Sequence, residues 1–191
     1  TLRRQVALKV VAGNDNVESR SRVLREARNA AALNHPNICT IHEVGDSSGT
    51  AFIAMEYVEG ESLRDRMHSG SMPIAETMRI ARQAVDALEH AHAHGVVHRD
   101  FKAANAILGS DGRLRVVDFG LSQRRTSVED ELTTMGATLT GGGIVGTPYA
   151  MAPEQIRGDS ADARTDIWAL GVLLYEMAAR RRPFDAPTTP E

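Results

Sequence analysis

The chain has 191 residues, 42% of them hydrophobic and 25% charged, with a formal charge of −3. That balance fits an ordinary globular chain and lacks the basic footprint of a nucleic-acid binder. No apolar run reaches membrane-spanning length, no signal peptide opens the chain, and the single Cys39 rules out a disulfide within it. One buried, structural thiol fits a reducing, cytoplasmic setting. A start at Thr1 reads as a piece of a longer parent, whose other segments have room for a membrane anchor.

Residues 5–11 alternate around β-branched side chains and predict a strand. Residues 18–33 predict a helix with Val23, Ala27, Ala30 and Ala31 at helical spacing. Asn34-His35-Pro36-Asn37 stops it, because the residue before proline disfavours helix. Residues 38–44 and 51–57 predict a hairpin around a turn at 45–50. A linker follows near residues 57–60, then a short helix over 62–68. A long helix over 74–93 carries Ile74, Met78, Ala81, Val85 and Leu88 along one face. Short strands are expected at 96–97, 106–108 and 114–117, the last two joined by a turn at 109–112. Residues 121–147 are rich in Thr, Ser and Gly and predict a long loop of the kind that is usually functional. Residues 165–179 are apolar on nearly every side, which predicts a core helix.

The segment from His98 to Asn105 reads HRDFKAAN and is followed by Asp118-Phe119-Gly120. Asp100, Lys102 and Asn105 thus share one loop, and Asp118 ends a short hairpin. Phosphoryl transfer from a magnesium nucleotide needs such a set: a carboxylate to orient the attacking hydroxyl, hard oxygens for the metal, and a cation for the transferred group. His90, His92, His94 and His98 tempt a metal-site reading. Their two-residue spacing puts neighbours on opposite helix faces, which argues against it.

With these motifs the chain resembles the protein kinase family, in particular the bacterial-type Ser/Thr kinases. The resemblance implies an α+β, two-lobe protein-kinase-like fold truncated at both ends. Its partial N-lobe would cover residues 1–59 and its partial C-lobe residues 60–191. It implies ATP and Mg2+ as cofactors and protein substrates with Ser or Thr hydroxyls. Self-association for phosphorylation between copies is a further implication. The segment itself implies no nucleic-acid partner and no membrane contact. Val6-Ala7-Leu8-Lys9 resembles the family's strand whose Lys binds phosphates, and Glu26 matches the helix glutamate that pairs with that Lys. Met55-Glu56-Tyr57-Val58 resembles the hinge: Met55 would be the gatekeeper, the backbone of Glu56 and Val58 would meet adenine, and Ala7 and Ile107 would sandwich the ring. Asp100 would orient the substrate hydroxyl, Lys102 would stabilise the γ-phosphoryl, and Asn105 and Asp118 would hold magnesium. His98 would pack beneath Phe119.

Further along, residues 146–154 resemble the end of an activation segment through Ala152-Pro153-Glu154, with Thr147 contacting Asp100 and Lys102. Thr138 and Thr140 are the expected phosphorylation sites, with Arg99 as the cation that receives the phosphate. Asp166 to Gly171 matches a D-x-W-x-x-G helix start whose Asp would hydrogen-bond the catalytic-loop backbone. Several positions depart from the pattern. No glycine-rich loop precedes Lys9, and Ala103, Ala150 and Arg180 stand where Pro, an aromatic and Gly are usual. Glu154 is expected to lack its usual arginine partner. The alternative reading is a pseudokinase or docking module that binds nucleotide or partners without turnover. A small-molecule phosphotransferase is disfavoured by the A-P-E sequence and the long loop.

Overall fold

The computed structural model describes residues 4–11, 17–47, 50–119 and 150–184. The first sheet holds β1 (Val6–Val11), β2 (Ile41–Ser47) and β3 (Thr50–Glu56) in the order β1-β3-β2, all antiparallel. Lys9 lies opposite Ile53 and Ala7 opposite Met55. Alternation along β3 buries Ala51, Ile53 and Met55 on one face. Helix α1 (Val17–Ala31) presents Ala27 to that face, and Cys39 completes the cluster. Of the predicted α1 stripe, Val23, Ala27 and Ala30 are buried; Ala31 is exposed and Leu24 is buried instead.

The chain leaves α1 through the Pro36 turn, as expected, and immediately pins the second half of the molecule. The Asn37 amide donates to the Leu114 carbonyl at 2.8 Å and to Gln83 Oε1 at 2.9 Å. Ile38 forms a parallel bridge to Val116, so the strand expected from residue 38 begins only at Ile41. A second sheet contains β4 (Gly60–Ser62), β5 (Ala106–Gly109) and β6 (Leu114–Val116) in sequence order. A side chain at Gly60 would stand 2.1 Å from the Leu108 carbonyl oxygen, so only glycine lets β4 approach β5. The strand expected at 96–97 does not form; that segment runs as irregular chain into the catalytic loop.

Helix α2 (Leu63–His68) is capped by Ser62, whose hydroxyl accepts the Asp65 N–H at 3.1 Å. Helix α3 (Ile74–Ala93) corrects the sequence expectation. Its buried face is Thr77, Ile80, Ala84, Ala87, Leu88 and Ala91, while Ile74, Met78 and Val85 are exposed. Both stripes are apolar, but the alanine-rich one lets α3 pack closely on α5 (Ala163–Ala179). Between them in sequence lies the short α4 (Pro153–Ile156). Helix α5 buries Ala169, Val172, Leu173 and Met177. It is not covered all round among the described residues, since Ile167, Trp168 and Tyr175 remain exposed. It ends on Arg180 with φ 56°, a left-handed cap that glycine adopts without strain. Among the described residues, no helix is long and apolar enough to cross a membrane.

Candidate active site

Residues 98–105 form a loop between α3 and β5 whose shape is set from below. Asp166, in the first turn of α5, is fully buried. Its carboxylate accepts the backbone N–H groups of His98 and Arg99, each at 2.8 Å, and His92 Nε2 lies 2.7 Å away. Three polar partners offset the cost of burying the carboxylate. The role expected for Asp166 from its motif is the one it has here. Arg99 adopts φ 69°, a backbone strain held by these bonds and by Gln155 Nε2, which donates to the Arg99 carbonyl at 2.8 Å.

The His98 ring is buried and lies 4.8 Å from the Phe119 ring and 5.6 Å from the Phe101 ring. Its Nδ1 accepts the Asp100 N–H at 3.3 Å, and its Nε2 meets the Val117 carbonyl at 3.0 Å. A carbonyl only accepts, so Nε2 carries the proton and the ring is neutral. Burial pushes its pKa below the usual 6.5, against nearby carboxylates that pull it up. His98 is a structural post, as the sequence implied. The remaining histidines divide as well: His90 stacks on His35 and His94, while His92 turns to Asp166. Among the described residues no three His, Cys, Asp or Glu side chains are placed to hold a metal.

Above this floor the three polar side chains of the loop interlock. Lys102 Nζ lies 2.8 Å from Asp100 Oδ1, and Asn105 Nδ2 donates to Asp100 Oδ2 at 3.1 Å and to its carbonyl at 2.8 Å. The single 3-10 turn at Ala103–Asn105 makes this possible by bringing Asn105 back towards Asp100. Ala103 is buried within it and carries the turn without the expected proline. Backbone pairing then joins this loop to the second carboxylate, because Val117 N–H donates to the Asn105 carbonyl at 2.9 Å. Asp118 follows with φ 66° and meets Lys9 Nζ at 2.8 Å.

Lys9 therefore pairs with Asp118 and not with Glu26. Glu26 instead meets Arg99 Nη1 at 2.9 Å. The expectation that Glu26 holds Lys9 does not describe this arrangement, and the reason is electrostatic. Both pairs are partly exposed, and such long charged side chains exchange partners at little cost. Arg99, expected to need an anionic partner from the 121–147 segment, takes the Glu26 carboxylate here.

Met55 is buried, and a narrow cavity of about 10 Å³ behind it runs between Ile41 and Cys39 to Asp118 and Phe119. Glu56 N–H donates to the Thr40 carbonyl at 2.8 Å, and Cys39 Sγ lies 3.5 Å from the Glu56 carbonyl. Burial, with the Glu56 and Asp118 carboxylates, pushes the Cys39 thiol up to about 12, so it stays protonated and unreactive. Ala7, Val58 and Val117 pack against the Ala27–Cys39–Ile53–Met55 cluster. Ile107 is half-buried, paired across strands with Ser62 and Arg115.

Glu154 does find a partner: the buried Thr165 hydroxyl donates to its Oε1 at 2.7 Å, which holds its pKa below the usual carboxylate value. Thr147, Thr138 and Thr140, and the glycines at 141–143, lie outside the described residues. Sequence reasoning missed Gln155, which braces the 98–105 loop at Arg99, and Arg115, which bonds Glu56. Neither has a periodic or compositional signal. Asn37 and Gln83, which clamp the β6 strand, were equally silent except that Asn37 follows the helix-stopping proline.

The Asp100 loop, Asp118 just beyond the β5–β6 hairpin, and Ala152-Pro153-Glu154 on a sheet-plus-helix frame point to the class of phosphotransfer proteins. The family description "Protein kinase domain" matches residues 1–191, and the chain belongs to that family. It is 39% identical to the serine/threonine-protein kinase PknB of Mycobacterium leprae, over 98% of this chain and 30% of that protein. It is 38% identical to the serine/threonine-protein kinase PrkC of Bacillus subtilis, over 96% of this chain and 28% of that protein. The chain thus spans less than a third of the length of these relatives. Among solved structures, the Mycobacterium tuberculosis PknI kinase domain superimposes with a TM-score of 0.74 at 31% identity, covering 96% of this chain and 67% of that one.

Proposed function

We propose that this chain carries the catalytic centre of an ATP-dependent protein Ser/Thr kinase. The observation that carries the reading is the interlocked Asp100–Lys102–Asn105 set, joined through the Asn105 backbone to Asp118 and Lys9. The substrate hydroxyl oxygen attacks the γ-phosphorus, the bond to the β-bridging oxygen breaks, and ADP leaves. Asp100 orients that hydroxyl and accepts its proton, and Lys102 neutralises charge on the transferred group. Lys9 holds the nucleotide phosphates. Ala7 and Ile107 enclose adenine, Met55 backs it, and the backbone of Glu56 and Val58 reads its edge. Glu26 steadies this corner, exchanging Arg99 for Lys9 when nucleotide enters.

The donor set fits magnesium. Asn105 spends its amide protons on Asp100, which leaves its Oδ1 as an acceptor, and Asp118 keeps one carboxylate oxygen beyond the one facing Lys9. Both are hard oxygens suited to that ion, which would shield the phosphates and steady the leaving group. The residues 1–59 and 60–191 would act as the two lobes that close on the nucleotide, with Thr147 contacting Asp100 and Lys102. We place this activity in the cytoplasm, with protein substrates and a second copy of the kinase as partners. The pseudokinase alternative is disfavoured because Lys9, Asp100, Asn105 and Asp118 are all in place.

The test is phosphoamino-acid analysis of a generic basic protein incubated with the full-length protein, magnesium and γ-labelled ATP. Label on Ser and Thr is the expected result. Label on Tyr only, or no transfer by a protein that binds ATP, contradicts the proposal.

A further inference from the structure

The hinge is tied to the rest of the site by a side chain that the reaction scheme leaves unused. Arg115, on β6, sends Nε to Glu56 Oε1 at 2.9 Å. Its other two nitrogens grip Asp111 in the β5–β6 turn, at 3.0 Å and 2.9 Å. The second Glu56 oxygen accepts the Thr40 N–H at 3.3 Å. The Arg115 side chain is only 17% exposed; its bond to Glu56 is largely shielded, while its fork onto Asp111 lies at the surface. Asp111 and Glu56 both raise the pKa of Arg115, and the Arg115 bond holds the Asp111 carboxyl well below its usual range.

Two further features show that the hairpin is shaped around this pair. Arg115 is the cross-strand partner of Ile107, so both side chains leave the same face of the sheet. At position 109, an added Cβ would stand 2.8 Å from Arg115 Nη1 and 2.7 Å from Asp111 Oδ1. Gly109 therefore leaves the space that the pair occupies. Backbone bonds flank the strap on both sides, from Cys39 N–H to the Val116 carbonyl at 2.9 Å and from Ser110 N–H to the Glu59 carbonyl at 2.8 Å.

We infer that Arg115 is a positioning residue for nucleotide binding, fixing the hinge backbone at Glu56 relative to the strand that carries Ile107. The inference rests on the kinase reading above, because it assigns those two elements to the adenine. Arg115 touches neither phosphate nor hydroxyl in that reading, so its loss acts on affinity and spares the chemical step.

The full-length protein is tested for magnesium-ATP binding by calorimetry and for KM and kcat. Arg115→Ala and Glu56→Gln are each expected to weaken ATP binding about three- to tenfold, and the double variant to be no worse than Arg115→Ala. KM rises by a similar factor while kcat stays within about twofold. Arg115→Lys recovers part of the affinity. Gly109→Ala keeps every charge but displaces the pair, and it weakens binding in the same direction. It decides the matter if Arg115→Ala fails to fold. Wild-type affinity in Arg115→Ala or Gly109→Ala, additive losses in the double variant, or a loss in kcat alone overturns the inference. A wild-type protein that neither binds nor uses ATP overturns the kinase reading and this inference with it.

Discussion

The catalytic loop and the charged corner beside it, with its Lys9–Asp118 and Glu26–Arg99 pairs, carry equally clear motifs but are built differently. The loop is fastened by buried bonds to backbone: Asp166 takes two N–H groups, and His98 spans from Asp100 to Val117. The corner is fastened by ion pairs between half-exposed side chains, Lys9 with Asp118 and Glu26 with Arg99. Buried backbone bonds allow one geometry, because each broken bond strands a polar group away from water. Ion pairs at a half-exposed corner allow several, because water and neighbouring charges replace any one partner. The loop is thus preassembled, while the partly exposed pairs of the corner can exchange partners.

The sharpest way to break that contrast is at Asp166. Asp166→Ala leaves two buried N–H groups and His92 without their acceptor, and should cost about 3–5 kcal/mol of unfolding free energy. Urea midpoints for wild type and variant measure this directly. A variant as stable as the wild type shows that the loop is not held from the core.

Acid should loosen the loop through His98. His98 is neutral in the folded protein and its pKa lies below the unfolded value of about 6.5. The unfolded chain therefore binds the extra proton first. The stability that depends on a neutral His98 is complete above about pH 6.5 and is lost as pH falls below it, by up to about 1.4 kcal/mol per pH unit. Urea midpoints at several pH values, compared with those of His98→Gln, isolate this contribution. Equal acid sensitivity in both proteins contradicts it.

The two faces of α3 extend the comparison from polar bonds to packing. Ala84→Leu overpacks the buried core around α3 and should cost about 1–3 kcal/mol. Ile74→Ser, on the exposed stripe, should change stability by less than about 0.5 kcal/mol. Thermal melts of the two variants check the assignment, and the reverse ranking would restore the stripe expected from sequence. The corner is also expected to matter little: Glu26→Gln should alter stability by less than about 1 kcal/mol. A larger loss would mean that the Glu26–Arg99 pair is structural rather than exchangeable.

This contrast also explains what was legible in the sequence. The loop residues were readable because their chemistry is unusual for their surroundings: a carboxylate opening an apolar helix at Asp166, and Asp, Lys and Asn crowded onto one short loop. Element order was readable through Pro36, the glycine turn at 109–112 and the alternation of residues 5–11. The buried face of α3 was not, because large side chains at Ile74, Met78 and Val85 suggested another stripe and half of the buried one is alanine. Partner choice at Lys9 and Glu26 was not readable either, since a motif names which charges are present and not which of them touch. Arg115 and Gln155 act through single long-range bonds to chain distant in sequence, and nothing local marks them.

The central claim is that the Asp100 loop is a preassembled phosphotransfer site, and the most direct measurement separates binding from chemistry in one variant. Asp100→Asn in the full-length protein keeps the shape of the side chain and removes its ability to take the hydroxyl proton. The account predicts that kcat for protein phosphorylation falls by about 10²–10⁴, with magnesium-ATP affinity within about twofold of wild type. Turnover at the wild-type rate, or a loss confined to ATP affinity, would contradict it.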